Sequence, residues 1–600
     1  MTNKEIAATF ETIADLLEFT DANPFRVRAY RNGARTIAEL DEPITSILQD
    51  ASRQLTDISG IGKDLAAKCA TLVETGNLPM LVELLEQVPA SVLAILRVPG
   101  LGPKKAAVLH NELGINTLEE LADACQAGKI RTLKGFGAKT EESILKGIAI
   151  AAAAEQRVYW SKADELVQEL LKHFDACQAV QKKEMAGSYR RGKETVGDLD
   201  LLVASDDSAA VMRHFEAFPR LAEVLVRGET KMSIRVDSGL QIDLRVVPQK
   251  SFGAALQYFT GSKEHNVILR GRAKQLGLRV NEYGVFRVDD REANSKSHDD
   301  KADVDANNDA VNNQTAQYLA GKAEKEVYAT LGLPLFPPEI REGRREFEWA
   351  DAGALPKLIT IDDIRGDLHM HTDATDGKAT LDEMVAAARE RGLEYIAITD
   401  HSQRVAMAGG LDAKRLLAQW TEVDRINAAQ GDNLQVLKGI ECDILEDGQM
   451  DLPDEVLEQA DWVVASVHYG QQQSRAQITE RILGALEHPY VSIIAHPTGR
   501  LINRRAPYEV DMDAVFTTAK KHRKMLELNA NPARLDLHDI HCAAAKAHGI
   551  PIVISTDAHS VSGLDVMRYG ILQARRGGLT KKDVANTLPW SKFRKLLKRS

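Results

Sequence analysis

In the C-terminal part of the chain, six short apolar runs each end in a histidine, aspartate or glutamate. The run 395–400 leads to His401, 462–467 to His468 and 491–495 to His496. The run 436–440 leads to Glu441, and 552–556 leads to Asp557 and His559. The segment GDLHMHTDATDG carries His369, His371 and Asp376. His369 and His371 are two apart, so on a strand they share one face. Amphipathic helical stretches alternate with these runs, which is the pattern of a βα barrel or a layered sheet. Such folds build their sites at the C-terminal ends of strands. A single histidine at a strand end is usually just a satisfied polar terminus, so the repetition carries the signal. Imidazole and carboxylate ligands without thiolates suit zinc, manganese or iron, and spacing does not choose among them.

A chain of 600 residues is too long for one core, so several domains are expected. The five cysteines are scattered, with no Cys-x-x-Cys pair, as expected of a reducing cytoplasm. The N-terminus lacks the apolar stretch of a signal peptide, and no run of about 18 apolar residues predicts a membrane span. A net charge of -11 weighs against a nucleic-acid partner. The local field at a binding face matters more than the total, and metal-binding carboxylates lower that total.

Residues 1–150 read as helices punctuated by glycine turns. Gly60 and Gly62, Gly100 and Gly102, and Gly135 and Gly137 each flank one apolar residue and precede a lysine-containing helical segment. One such turn is an ordinary interhelical connection. Three copies point to sequence-independent contact with a DNA backbone, since glycine admits a phosphate close to free helix N–H groups. From Glu184 onward strand-like runs appear at 198–203, 233–236 and 241–247. The polar stretch 289–317 has too little apolar surface to order itself and reads as a flexible insertion.

Asp198 and Asp200 lie two apart on one of these strands, so both carboxylates face the same way. Like charges so close require cations, and Asp243 on a neighbouring strand is placed to complete a two-cation site. The preceding turn, GSYRRG, offers Ser188 and Arg191 to a triphosphate.

The segments GSYRRGKETVGDLDLL, QIDLR and YFTGS together resemble the DNA polymerase β family over about residues 1–350. The resemblance implies metal binding by Asp198, Asp200 and Asp243. It implies nucleotide contacts from Gly187, Ser188, Arg191, Gly197 and Gly261, and a sugar gate at Tyr258 and Phe259. It further implies a base contact from Asn266, a template contact from Arg270, and a closing switch of Arg245, Glu282 and Tyr283. Gln241 stands where animal relatives carry a basic residue. Lys68 aligns with the family's lyase lysine, and Arg26 and Tyr30 with its phosphate pocket. Asp64, however, opposes the depressed pKa that such a nucleophile needs, so Lys68 reads as an ordinary exposed helix lysine.

The C-terminal set resembles the polymerase and histidinol phosphatase (PHP) family over about residues 360–575. That resemblance implies one metal on His369, His371, Glu441 and Asp557. A second would share Glu441 with His468 and His496, and a third would use Asp376, His401 and His559.

The resulting expectation is a family X DNA repair polymerase fused to a metal-dependent 3′–5′ exonuclease, with cleavage at abasic sites as a further activity. Helical helix-hairpin-helix regions are expected at 1–88 and 89–155, and an α+β nucleotidyltransferase palm at 156–260. A thumb at 261–350 would carry the insertion 290–317. A distorted (βα)7-type PHP barrel at 356–578 and a basic tail at 579–600 complete the chain. Two Mg2+ or Mn2+ ions belong to the palm, and up to three Mn2+, Zn2+ or Fe2+ ions to the barrel. The partners are gapped or primer–template DNA and dNTPs, and the chain is a monomer in the cytoplasm at the nucleoid. Rival readings are a small-molecule phosphoesterase tethered to DNA and a noncatalytic DNA-end adaptor.

Overall fold

The computed structural model describes residues 3–38, 44–49, 53–58, 60–75, 78–88, 91–96, 98, 101–155, 157–287, 317–430 and 434–597. Gly100 and all of the predicted insertion except Gln317 lie outside them. No helix among the described residues is long and apolar enough to cross a membrane.

The N-terminal region is helical. Helix Asn3–Phe19 buries Ile6, Phe10, Ile13 and Leu17, a spacing that turns one stripe towards the core. That core continues without a break from Ile6 through Val92 and Leu109 to Ile144, so both hairpin regions share it.

The palm is a five-stranded sheet in the order Lys182–Met185, Asp198–Ala204, Gln241–Val247, Lys231–Val236, Leu221–Arg227. On Asp198–Ala204 the residues Leu199, Leu201 and Val203 point into one core. Leu202 and Ala204, on the other face, pack beneath Phe252 and Ala255 of helix Phe252–Thr260. The start of that second face carries Asp198 and Asp200, and Asp198 is exposed. A three-stranded sheet of Leu278–Asn281, Gly284–Arg287 and Gln317–Ala320 forms the thumb. Gln317, expected inside the insertion, instead pairs with Arg287.

The C-terminal unit has seven parallel strands in sequential order: Gly366–Asp367, Tyr395–Ile398, Gln435–Asp443, Trp462–Ser466, Ile493–Ile494, Met525–Asn529 and Ile552–Ser555. A parallel bridge between Met370 and Ala558 brings the first edge to the last, nearly closing a barrel. The segment expected as a basic tail is part of this barrel through residue 597. Phe593 is fully buried and stacks on Tyr395 at 4.6 Å, and Asn586 Nδ2 donates to the carbonyls of Gly366 and Ile554. Apolar residues spaced among the lysines, such as Leu588 and Phe593, explain why it packs.

Palm and barrel meet through specific contacts. Arg500 pairs with Glu194 at 2.8 Å, Tyr159 Oη donates to the Ile502 carbonyl at 2.7 Å, and Asn503 Nδ2 donates to the Arg157 carbonyl at 2.9 Å. The backbone turn at Gly192 lies so close to Leu572 that a Cβ there would stand 2.5 Å from its side chain.

Candidate active sites

The first pocket lies on the palm. Asp200 and Asp243 are direct register partners on adjacent parallel strands, and Asp198 pairs with Gln241 in the same ladder. A period of two then puts all three carboxylates at one end of one face. Burial, followed by the charges of Asp198 and Asp243, pushes the Asp200 carboxyl up to about 7. Arg245 and Arg191 oppose that shift. A carboxylate kept so reluctant to ionise is suited to a site completed by cations.

Gln241 Nε2 donates to Asp243 Oδ1 at 2.9 Å, so the residue that departs from the animal pattern orients a triad member here. The turn Gly187–Arg190 sits directly above: Gly187 has a φ of +62°, and a Cβ there would collide with Asp200 Oδ2. Ser188 Oγ is buried with no hydrogen-bond partner among the described residues, as expected of a group awaiting a ligand. Arg191 Nε meets Glu342 at 3.1 Å, and its Nη1 donates to the Thr260 carbonyl. Arg190 is used structurally, with Glu324 at 2.7 and 2.8 Å and the Thr260 hydroxyl at 2.7 Å.

Tyr258 and Phe259 meet edge to face at 5.2 Å, and Arg245 lies over the Phe259 ring at 4.4 Å. Asn266 donates to the Tyr258 carbonyl at 2.8 Å and accepts from Gln257 at 2.7 Å. Arg270 is exposed on helix Lys263–Gln275.

The second pocket lies at the C-terminal ends of the barrel strands, and all nine predicted residues converge there. Glu441 is the hub. Its oxygens lie 2.7 Å from His401 Nδ1, 3.1 Å from His496 Nε2, 3.5 Å from His468 Nε2 and 3.6 Å from His369 Nε2. Asp557 Oδ1 stands 3.1 Å from His371 Nε2. Asp376 lies 3.5 Å from His559 and 3.6 Å from His401.

Among the described residues, three sets have ligand atoms close enough to hold an ion: His371, Asp376, His401 and His559; His369, His371 and Asp557; and His401, Glu441 and His468. His371 and His401 are thus each shared between sets, which differs from the grouping implied by the resemblance. Among the described residues, His369 Nε2, His371 Nδ1 and Asp376 Oδ1 are buried without hydrogen-bond partners. Buried polar atoms turned towards one another but not bonded fit a cation cluster.

Electrostatics agree. Burial alone would raise Glu441, yet the charges of His468, His401 and His369 hold its carboxyl well below the usual range. Against the cost of burial, Glu441 and Asp376 push His401 up to about 10.

Sequence reasoning missed the residues that support these ligands. Glu527 accepts from His369 Nδ1 at 2.7 Å, and Asp443 meets His468 Nδ1 at 3.1 Å. Carboxylates that fix the far ring nitrogen aim the other one at a metal. Asp443 was findable as the same-face neighbour of Glu441, and Glu527 as a lone charge in the buried strand Met525–Asn529. Arg534, 3.6 Å from Asp557, brings a positive charge to the cluster and had no local signal.

The helix-hairpin turns are formed as expected where described. Gly60 and Gly135 have φ of +91° and +89°, while the middle residues Ile61, Leu101 and Phe136 are buried. Gly62, Gly102, Gly135 and Gly137 face open space, leaving backbone accessible. Lys68 is not the exposed lysine expected: its side chain is 19% exposed and pairs with Asp64. Burial acts to lower its pKa, but Asp64 and Tyr30 outweigh that and raise it.

A palm with a carboxylate triad, fused to a histidine-ringed barrel, defines a phosphoryl-transfer protein with two separate reaction centres. Comparison with known proteins agrees domain by domain. Residues 1–78 match a helix-hairpin-helix domain, 92–149 a SAM-like helix-hairpin-helix tandem, 157–254 the DNA polymerase beta palm, 255–342 the DNA polymerase beta thumb and 367–531 the PHP domain. The DNA polymerase/3′-5′ exonuclease PolX of Bacillus subtilis (strain 168) is 39% identical over 100% of both chains. The DNA polymerase lambda of Rattus norvegicus is 24% identical over 57% of this chain and 56% of its own. A probable phosphatase of Thermoanaerobacter sp. (strain X514) is 27% identical over 37% of this chain and 89% of its own. The chain belongs to the family X DNA polymerases that carry a C-terminal PHP domain.

Proposed function

We propose that the chain is a DNA-directed DNA polymerase filling short gaps and a metal-dependent 3′–5′ exonuclease trimming the ends it meets. Base excision repair is the setting, and cleavage at abasic sites is a further action of the barrel pocket. The observation that carries the reading is the pairing of two convergent ligand clusters, one under a glycine turn and one in a barrel mouth. It stands in a chain aligned end to end with a relative named for both activities.

In the palm, Asp198, Asp200 and Asp243 would hold two Mg2+ or Mn2+ ions, and the barrel cluster up to three Mn2+, Zn2+ or Fe2+ ions. When bound, such cations neutralise the carboxylates and raise the reactivity of the attacking oxygen. The primer 3′-hydroxyl attacks the α-phosphorus in line, and pyrophosphate departs towards Gly187, Ser188, Arg191 and Gly197. Tyr258 and Phe259 leave no room for a 2′-hydroxyl, Gly261 contacts the nucleotide, Asn266 meets the base edge and Arg270 the template strand. Gln241 keeps Asp243 turned to the triad. In the barrel, Glu527 and Asp443 fix the rings of His369 and His468, and Arg534 meets the charge on the phosphodiester. The hairpin turns at Gly60–Gly62, Gly100–Gly102 and Gly135–Gly137 hold the DNA backbone. Lys68, protonated by its pairing with Asp64, takes no part as a nucleophile. The protein acts as a monomer in the cytoplasm, on nucleoid DNA.

The test uses purified full-length protein with a gapped primer–template. Extension with dNTPs and 3′-end degradation without them are expected from one preparation, and chelation should stop both. Hydrolysis of a small phosphomonoester with neither DNA reaction would overturn the reading.

A further inference from the structure

Where the barrel unit meets the palm and thumb runs a chain of mostly buried charges. Arg576 ends helix Met567–Arg576 of the barrel unit, and its side chain is 4% exposed. It pairs with Glu342 of the thumb at 2.9 Å, with Asp539 at 2.8 Å, and donates to the backbone carbonyl of Arg191 at 2.9 Å. Glu342, itself buried, meets Arg191 Nε at 3.1 Å and Lys193 at 3.5 Å. Burial alone would raise the Glu342 carboxyl, but Arg576 and Arg191 hold it below the usual range, so it is ionised. Arg191 is therefore gripped at Nε by Glu342 and at Nη1 by the Thr260 carbonyl, while Nη2 makes no hydrogen bond among the described residues.

We infer that Arg576 and Glu342 are positioning residues of the polymerase pocket, by which the exonuclease unit holds the Arg191 guanidinium ready for the nucleotide's triphosphate. The inference rests on the proposed contact between Arg191 and that triphosphate. A guanidinium on a flexible stem loses rotamer freedom when it binds phosphate, and a preformed grip removes that cost in advance. The grip is also bivalent. Arg576 anchors the carboxylate that holds the side chain and the carbonyl of the residue itself, so backbone and side chain are fixed together. Asp539 balances the second charge of the pair, which keeps Arg576 in place when Arg191 turns its free edge to the ligand. No covalent step is involved.

The experiment is single-nucleotide gap filling by the full chain, with KM for dNTP and kcat measured separately. Exonuclease rate on the same preparations reports folding. Loss of a charge-assisted hydrogen bond corresponds to about a tenfold change. Glu342→Gln is expected to raise the dNTP KM about tenfold, with kcat altered less than about threefold and exonuclease unchanged. Arg576→Lys should raise KM by a smaller factor, and Glu342→Asp should recover part of the loss. In an Arg191→Ala background, Glu342→Gln should add nothing further. An unchanged KM, or a fall in KM showing that Glu342 withholds Arg191 instead of presenting it, overturns the inference while leaving the pocket assignment intact. If Arg191→Ala itself leaves KM unaltered, the pocket reading fails and the inference with it. Should Glu342→Gln lose exonuclease as well, Arg576→Lys decides by the same criterion.

Discussion

Gly187 lies so tightly against Asp200 that a Cβ on the glycine would overlap the carboxylate oxygen, and its φ of +62° falls in the left-handed region. Both constraints follow from one requirement, a backbone turn brought down onto the triad. Gly187→Ala therefore displaces Asp200 and adds strain of about 1–2 kcal/mol. Primer extension should fall by about 100-fold, since misplacement of about 1 Å costs that much, while end degradation stays at the parental rate. Parallel assays of the two activities check this.

Asp200 also sets a pH dependence. Its carboxyl is pushed up to about 7 by burial, then by Asp198 and Asp243. The folded pKa is above the unfolded one, so ionisation destabilises the metal-free fold increasingly as pH rises from about 4 to 7 and fully above that. Asp200→Asn should raise the melting temperature in chelator at pH 8, and progressively less towards pH 4. Cation affinity of the parent should rise over the same interval, because the ligand must lose its proton. Calorimetry and metal titration at pH 5, 6, 7 and 8 measure both.

Arg534 stands 3.6 Å from Asp557 at the rim of the barrel cluster. Arg534→Ala should lower the exonuclease kcat by about 100-fold, as loss of one preorganised charge does, with metal content and primer extension unchanged. Single-turnover degradation and metal analysis of the same samples decide it.

Glu527 and Asp443 act through the rings they hold. Glu527→Gln and Asp443→Asn should each weaken metal retention in the barrel by about 10–100-fold. Titration with a metal-sensitive dye reads this directly, without reference to turnover.

Lys68 pairs with Asp64, and its pKa is raised. Borohydride reduction on a 5′-deoxyribose phosphate end at pH 7 should trap no more adduct with the parent than with Lys68→Ala.

What the sequence allowed to be read depended on how local each signal was. Asp198, Asp200 and Asp243 were legible because strand alternation fixes the face a residue occupies, and their register pairing followed. The barrel ligands were legible for the same reason, each standing where an apolar run ends. Their sharing was not. His401 groups with Asp376 and His559 as the resemblance implies, but its Nδ1 also lies 2.7 Å from Glu441, so it joins a second set. Glu342 and Arg576 lie far apart in sequence, and only docking of the barrel on the palm and thumb makes them partners. The segment after Leu579 has the charge of a tail, yet its spaced apolar residues pack on the barrel and Phe593 is fully buried.

The proposed function assigns two opposed reactions on DNA ends to two independent clusters. Two double variants, Asp198→Ala with Asp200→Ala and His369→Ala with His371→Ala, compared on one gapped substrate, test it most directly. The aspartate pair should abolish extension and spare degradation, and the histidine pair should do the reverse. Extension at the parental rate by the aspartate variant, or undiminished degradation by the histidine variant, would contradict the account.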